Sequence, residues 1–290
     1  MNDRYGAMFA RLRSRGEGAF GAFVMLGDPD VETCGAILDA LVEGGADMLE
    51  VGIPFSDPVA DGPTIQTAAE RALKQGVTPG DCFDLLAAFR SRHPHVPVGV
   101  LTYANLVLAR GRDAFYRAAA EAGVDSVLVA DVPAFEAAPF ARAAEAQGVA
   151  PVLIAAPNTP PATLERVAAL GRGYTYCVAR AGVTGAGTEM RLDHGALFAG
   201  LAAAGAPPPV LGFGISTPAH VRAALDAGAA GVISGSAIVG IVARETHPMP
   251  ALQAFAAAMK TATLPPAACA TRSSQFPVAT GLRSVQAFAR

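Results

Sequence analysis

Residues 47–66, DMLEVGIPFSDPVADGPTIQ, pass from a short apolar run into a loop containing Pro54, Pro58, Gly62 and Pro63, and then towards a helix-forming stretch. Proline and glycine keep the middle of this segment from continuing as strand or helix. The same unit recurs along the chain. Further apolar runs are AFGAFVML from Ala19, VPVGVLTY from Val96, SVLVADV from Ser126, APVLIAA from Ala150, YTYCVA from Tyr174, PVLGFG from Pro209 and GVISGS from Gly231. With DMLEV they make eight, the number a closed parallel barrel needs. Between them lie Ala-, Leu-, Glu- and Arg-rich segments with helical spacing, such as CGAILDALVEGG, FYRAAAEAG, FARAAEAQG, LERVAALG and HVRAALDAG, which end in glycine, as helix C-termini prefer. The runs are apolar throughout rather than alternating, as parallel strands buried on both faces are. These features predict an α/β fold, a (β/α)8 TIM barrel in a single domain, rather than a doubly wound open sheet. The barrel is expected to span residues 1–261. Residues 262–290 lose the periodicity, gain Thr, Ser and Pro, and read as a loosely ordered C-terminal extension.

Composition narrows the function classes. Of 290 residues, 52% are hydrophobic and 16% charged, with a net charge of -3, which suits a soluble globular protein and offers no basic face for nucleic acid. Gly, Pro or a charge interrupts every apolar stretch before membrane-spanning length, and the first residues lack the apolar core of a signal peptide. A cytoplasmic location is the expectation. Cys34, Cys82, Cys177 and Cys269 are far apart and form no Cys-x-x-Cys pair, so they read as reduced structural thiols. Cys177 follows Tyr176, and strand alternation turns the two side chains to opposite faces.

Several chemistries are disfavoured. The only lysines, Lys74 and Lys260, fall in predicted helices far from strand ends, which argues against a lysine Schiff base. His93-Pro-His95 has a tempting ligand spacing but precedes the third run, at the end of the barrel associated with stability. His194, His220 and His247 fall at or inside helical segments and read as surface or capping residues. No metal site is expected. No Gly-x-Gly-x-x-Gly follows a strand and no Gly-x-Ser-x-Gly elbow occurs, so neither a dinucleotide site nor a serine hydrolase is indicated.

Carboxylates remain. Glu50 lies in an apolar run, where a mouth position would desolvate it in part and raise its pKa towards neutrality. Asp57 and Asp61 sit in the loop that follows, Asp57 between Ser56 and Pro58 being the most cap-like of the three. Lone loop acids are usually solvated, so Glu50 and Asp61 gain weight as a pair. Glycine loops follow the last three runs: Gly182-Val183-Thr184-Gly185-Ala186-Gly187, Gly212-Phe213-Gly214-Ile215-Ser216 and Gly235-Ser236. Each alone is equally well an ordinary turn. Together, after the runs whose loops bind phosphate in many barrels, they favour a phosphorylated substrate, with helix N-terminal amides facing the anion. The first of them has the composition of a flap that excludes water.

LEVGIPFSDPVADGPTIQ, LTYANLV, VLVADVP, YTYCVARAGVTGAG, LGFGIS and AGVISGSAIV, in this order, resemble the blocks of the tryptophan synthase alpha subunit family, over about residues 1 to 261. The resemblance implies retro-aldol cleavage of indole-3-glycerol phosphate to indole and glyceraldehyde 3-phosphate. It makes Glu50 the acid/base at indole C3 and the glycerol hydroxyl, and Asp61 the partner of the indole N–H. By the same matching, Gly185, Gly214, Gly235 and Ser236 hold the phosphate and Gly212 and Phe213 shape its wall. Phe23, Ile65, Leu101, Tyr103, Leu128, Ala130 and Tyr176 form the indole pocket, and Thr184 is the flap residue that meets Asp61. The family works without a cofactor of its own, in an α2β2 assembly with a beta subunit that carries pyridoxal phosphate; Pro54, Asp57 and Asn105 would face that partner. A stand-alone lyase and a non-catalytic regulatory subunit are the alternatives. Gly21, Ala155-Ala156 and Gly187-Thr188-Glu189 depart from the family's common residues, and none of them is expected to touch Glu50 or Asp61.

Overall fold

The computed structural model describes residues 3–178 and 194–265. Its strands are β1 (Ala19–Met25), β2 (Met48–Gly52), β3 (Val98–Thr102), β4 (Ser126–Val129), β5 (Ala150–Pro151), β6 (Leu153–Ala155), β7 (Thr175–Cys177), β8 (Pro209–Leu211) and β9 (Gly231–Ser234). All pair in parallel, in the order β5-β4-β3-β2-β1-β9-β8-β7-β6. The two ends of that order are consecutive in the chain, separated only by Val152. The fifth apolar run is thus one strand in two pieces: β5 pairs back to β4 and β6 pairs on to β7, which brings the sheet round into a barrel. Pro151 has no N–H to give a ladder, so the interruption falls beside it.

Both faces of the strands are buried, which is why their sequences do not alternate. Along β1, Phe20, Ala22 and Val24 join the outer core under the helices, whereas Ala19, Phe23 and Met25 join a second cluster with Met48, Leu128, Val152, Tyr174, Tyr176, Val210 and Ile233 inside the barrel. Tyr176 lies in the inner cluster and Cys177 in the outer one, as alternation required. Cys34, Cys82 and Cys177 are free and buried.

The amino-terminal segment supplies an element that the apolar runs do not announce. A helix over Arg4–Ser14, N-capped by the Asp3 side chain accepting from the Gly6 N–H, buries Tyr5, Met8, Phe9 and Leu12. Their spacing of three and four is that of one helix face, and they pack into the inner cluster. Tyr5 reaches Ser126, the first residue of β4, with 2.9 Å between hydroxyls, so this helix closes the N-terminal floor of the barrel. At the other terminus the last described helix runs over Met249–Thr261 and buries Leu252, Ala256 and Met259, which join the outer core. The beginning of the expected extension still packs: Thr263 is buried, the Gly18 N–H donates to its carbonyl, and Arg222 donates to the carbonyls of Ala262 and Leu264. Residues 266–290 lie outside the described residues.

Candidate active site

Glu50 occupies the middle of β2, in register with Phe23 of β1 and Gly99 of β3. Its neighbours Leu49 and Val51 belong to the outer core, so alternation turns Glu50 inward. It is deeper than a mouth position: only 2% of its surface is exposed. The reason is that β2 continues through Gly52, two residues past Glu50. The Tyr174 hydroxyl donates to Glu50 Oε1 at 2.8 Å. Oε2 is buried and meets no donor among the described residues. Burial raises the Glu50 pKa from 4.5 to about 7, the Tyr174 hydrogen bond holds it down, and the nearby charge of Asp61 pushes it further up. Tyr174 is a functional neighbour that the family matching omitted. Its signal was present in Tyr174-Thr175-Tyr176, which places both tyrosines on one face of a strand.

Asp61 lies in the loop after β2, just before a helix over Pro63–Lys74 whose N-cap is Gly62. It is 7% exposed, and burial lifts its pKa from 3.8 to about 6 against the lowering effect of a hydrogen bond from Tyr103. The Tyr103 hydroxyl also accepts from the Ala60 N–H at 3.3 Å, and its ring stacks on Phe55 with centroids 5.2 Å apart. Asp57 does not act as a cap. It is exposed, and its carboxylate accepts from the hydroxyl of its neighbour Ser56.

The expected pocket residues gather inside the barrel. Phe23, Ile65, Leu128 and Tyr176 are buried members of the inner cluster, with Leu101, Ala130 and Phe213 partly buried against it. Tyr103 is buried beside Asp61. Of the residues expected to face a partner, Asn105 and Asp57 are exposed but Pro54 is buried, because it follows directly on Ile53, whose N–H still bonds the Leu101 carbonyl.

The glycine loops differ from one another. The Tyr176 hydroxyl donates to the Gly212 carbonyl at 3.0 Å, and a Cβ at Gly212 would lie 2.1 Å from the tyrosine ring, so only glycine allows this approach. Gly214 has φ +74. The helix that follows, Pro218–Asp226, offers less to an anion than its position suggested, since Thr217 accepts from the His220 N–H and Pro218 has no N–H. By contrast, Gly235 is the N-cap of the helix Ser236–Arg244, with no side-chain cap, and a Cβ there would sit 3.5 Å from Phe23. The open N-terminal amides therefore lie at Gly235-Ser236. Thr184 and Gly185, with the rest of the expected flap, lie outside the described residues.

His93 and His194 take no part in this arrangement among the described residues. The His93 ring nitrogen contacts Asp39 at 2.8 Å, away from the barrel interior. His194 is not a surface residue; it is buried at the head of the helix Gly195–Ala203 and stacks on Phe198. No group of three or more His, Cys, Asp or Glu among the described residues is placed to hold a metal ion, and no helix among them is long and apolar enough to cross a membrane.

A ring of parallel strands covered by helices, with two buried carboxyls of raised pKa inside and above it, is the framework of a (β/α)8-barrel enzyme. The sequence model of the tryptophan synthase alpha chain family matches residues 9–264, and the chain belongs to that family. The tryptophan synthase alpha chain of Klebsiella aerogenes is 55% identical over 265 residues, covering 90% of this chain and 98% of the relative. That of Shewanella amazonensis is 54% identical, with 90% and 100% covered. Among solved structures, Mycobacterium tuberculosis tryptophan synthase aligns with a TM-score of 0.82 and 32% identity over 90% of this chain and 98% of that one. The subunit alpha from Legionella pneumophila aligns with 0.79 and 30%, over 90% and 98%. The chain is accordingly a lyase of tryptophan biosynthesis that cleaves indole-3-glycerol phosphate.

Proposed function

We propose that Glu50 and Asp61 divide the chemistry of this cleavage. Protonated Glu50 gives its proton to indole C3, and the positive charge that appears on the ring is stabilised by ionised Asp61 at the ring N–H. The Glu50 carboxylate then takes the proton from the hydroxyl on the glycerol carbon bonded to the ring. That hydroxyl becomes a carbonyl, the carbon–carbon bond breaks, and its electron pair returns to the ring. Indole and glyceraldehyde 3-phosphate leave with Glu50 protonated again. The protonated ring serves as the electron sink, so neither lysine nor a cofactor is needed. The observation that carries this reading is the buried carboxyl of Glu50, with a pKa raised to about 7, where one group can both give and take a proton.

Phe23, Ile65, Leu101, Tyr103, Leu128, Ala130 and Tyr176 enclose the indole ring in this reading. The phosphate is held by the backbone at Gly214, Gly235 and Ser236 with the Ser236 hydroxyl, beside Gly212 and Phe213; Gly185 and the flap residue Thr184 complete the site. Family membership implies a beta-subunit partner, and we place it against Asp57 and Asn105 in an α2β2 assembly in the cytoplasm, with pyridoxal phosphate on the beta subunit alone. Indole release from indole-3-glycerol phosphate, measured with and without purified beta subunit, tests this reading. Stimulation by the partner supports it, a full rate from the isolated chain indicates a stand-alone enzyme, and no release in either case overturns it.

A further inference from the structure

Asp61 belongs to a loop with little regular bonding. Its N–H reaches the Pro58 carbonyl, and the Tyr103 hydroxyl meets the Ala60 N–H. Its own carbonyl is held by a side chain: the Gln66 amide donates to Asp61 O at 2.8 Å. Gln66 stands in the first turns of the helix Pro63–Lys74 and is half-buried. Its bond therefore transmits the position of that helix to the Asp61 main chain.

The far end of the helix is anchored in turn. Arg71 donates from Nε and a terminal nitrogen to the two oxygens of Asp28, each at 2.7 Å. Asp28 is 2% exposed, and a two-pronged bond of this kind fixes orientation as well as distance. Gly27 adds a second contact, since a Cβ there would lie 2.6 Å from Val77 just beyond the helix. Asp28 follows β1, the Leu26 N–H bonds the Gly52 carbonyl of β2, and Glu50 is paired with Phe23 of β1. One continuous set of contacts thus runs from the strand that carries Glu50, through Asp28, Arg71 and Gln66, to Asp61.

We infer that Gln66 is a positioning residue for Asp61, and that the Asp28–Arg71 pair anchors the helix from which it acts. The inference rests on the reading of Asp61 as the group that stabilises the charged ring. Misplacement of such a group by about 1 Å lowers turnover on the order of 10²-fold, so a modest slackening of the loop reads out in kcat rather than in binding of the distant phosphate.

The test uses the full chain and indole release. Gln66→Met keeps length and removes the donor. It is expected to lower kcat about tenfold, while the dissociation constant of glycerol 3-phosphate stays within about twofold. Arg71→Met is expected to behave likewise and Arg71→Lys to fall between, because lysine keeps the charge but loses the fork. In an Asp61→Asn background, Gln66→Met is expected to add less than about a twofold loss, since the two changes act through one group. The inference is overturned if Gln66→Met turns over like the wild type while Asp61→Asn is impaired, or if the two losses multiply in full. Wild-type turnover by Asp61→Asn overturns the catalytic reading of that residue and the inference with it.

Discussion

Asp47 and Glu50 lie three residues apart, one just before β2 and one within it, yet they sit in opposite electrostatic surroundings. At the floor of the barrel, Asp47 meets Lys260 at 2.8 Å and Arg11 at 3.4 Å and accepts from the Phe20 N–H. Asp125, just before β4, meets Arg4 at 2.7 Å and Arg90 at 2.6 Å and accepts from the Val98 N–H. Three residues above Asp47, Glu50 has a neutral donor, Tyr174, and no cation bonded to it among the described residues. A buried charge without a partner is costly, and the cost appears as a retained proton. The floor uses its acids to join helices to strands; the interior keeps one acid uncompensated, and that one can do chemistry. Lys260 belongs to the floor, which accounts for one of the two lysines without a Schiff base.

The largest expected break in this contrast is Glu50→Gln. It removes the proposed proton carrier and is expected to lower turnover by roughly 10³-fold, while glycerol 3-phosphate still binds, because the loops proposed to hold the phosphate are separate from β2. Loss of binding together with turnover would contradict that separation. The same variant reverses the electrostatic cost. Below pH 4.5 the Glu50 carboxyl is protonated in both folded and unfolded chains, whereas between 4.5 and about 7 only the folded chain holds the proton. Wild-type stability therefore falls as pH rises through that window, on the order of 3 kcal/mol. Glu50→Gln is expected to melt higher than the wild type at about pH 8 and alike at about pH 4.

At the floor the expectation is inverted. Asp125→Ala leaves Arg90, whose side chain is 12% exposed, without its carboxylate, and is expected to cost about 3–5 kcal/mol of stability. Urea unfolding measures it, and turnover per folded molecule is expected to stay near wild type. A matching loss of turnover would show that the floor shapes the site directly. Smaller effects belong to the pH profile. With Asp61 ionised above about 6 and Glu50 protonated below about 7, kcat/KM is expected to rise and fall over a narrow bell between those values. Tyr174→Phe removes the donor that favours the Glu50 carboxylate, so the alkaline limb is expected to move upward. A downward shift would contradict the role assigned to that hydroxyl.

Much of the barrel is readable in one dimension, because strands covered on both faces become continuous apolar runs and their connecting helices keep the period of a single buried face. The eight runs and the five helical segments singled out all correspond to elements of the structure. The division of the fifth run was not readable, since it depends on which neighbours β5 and β6 find. The amino-terminal helix was legible in the spacing of Tyr5, Met8, Phe9 and Leu12, although no apolar run marks it. Glu50 and Asp61 stood out as acids in unusual company, but the depth of Glu50 depends on how far β2 continues beyond it. The burial of His194 and Pro54 likewise depends on what other segments bring over them.

The sequence by itself determined the class of fold, the acids available for proton transfer and the glycine positions where a backbone must come close, because local period and residue chemistry are properties of neighbours along the chain. Only the tertiary structure decided which acids are neutralised. Arg4, Arg90 and Lys260 reach Asp125 and Asp47 from remote parts of the chain, and Tyr174 reaches Glu50 across 124 residues. Charge and desolvation act through space, so the difference between a structural carboxylate and one that keeps its proton appears only when the ring is closed.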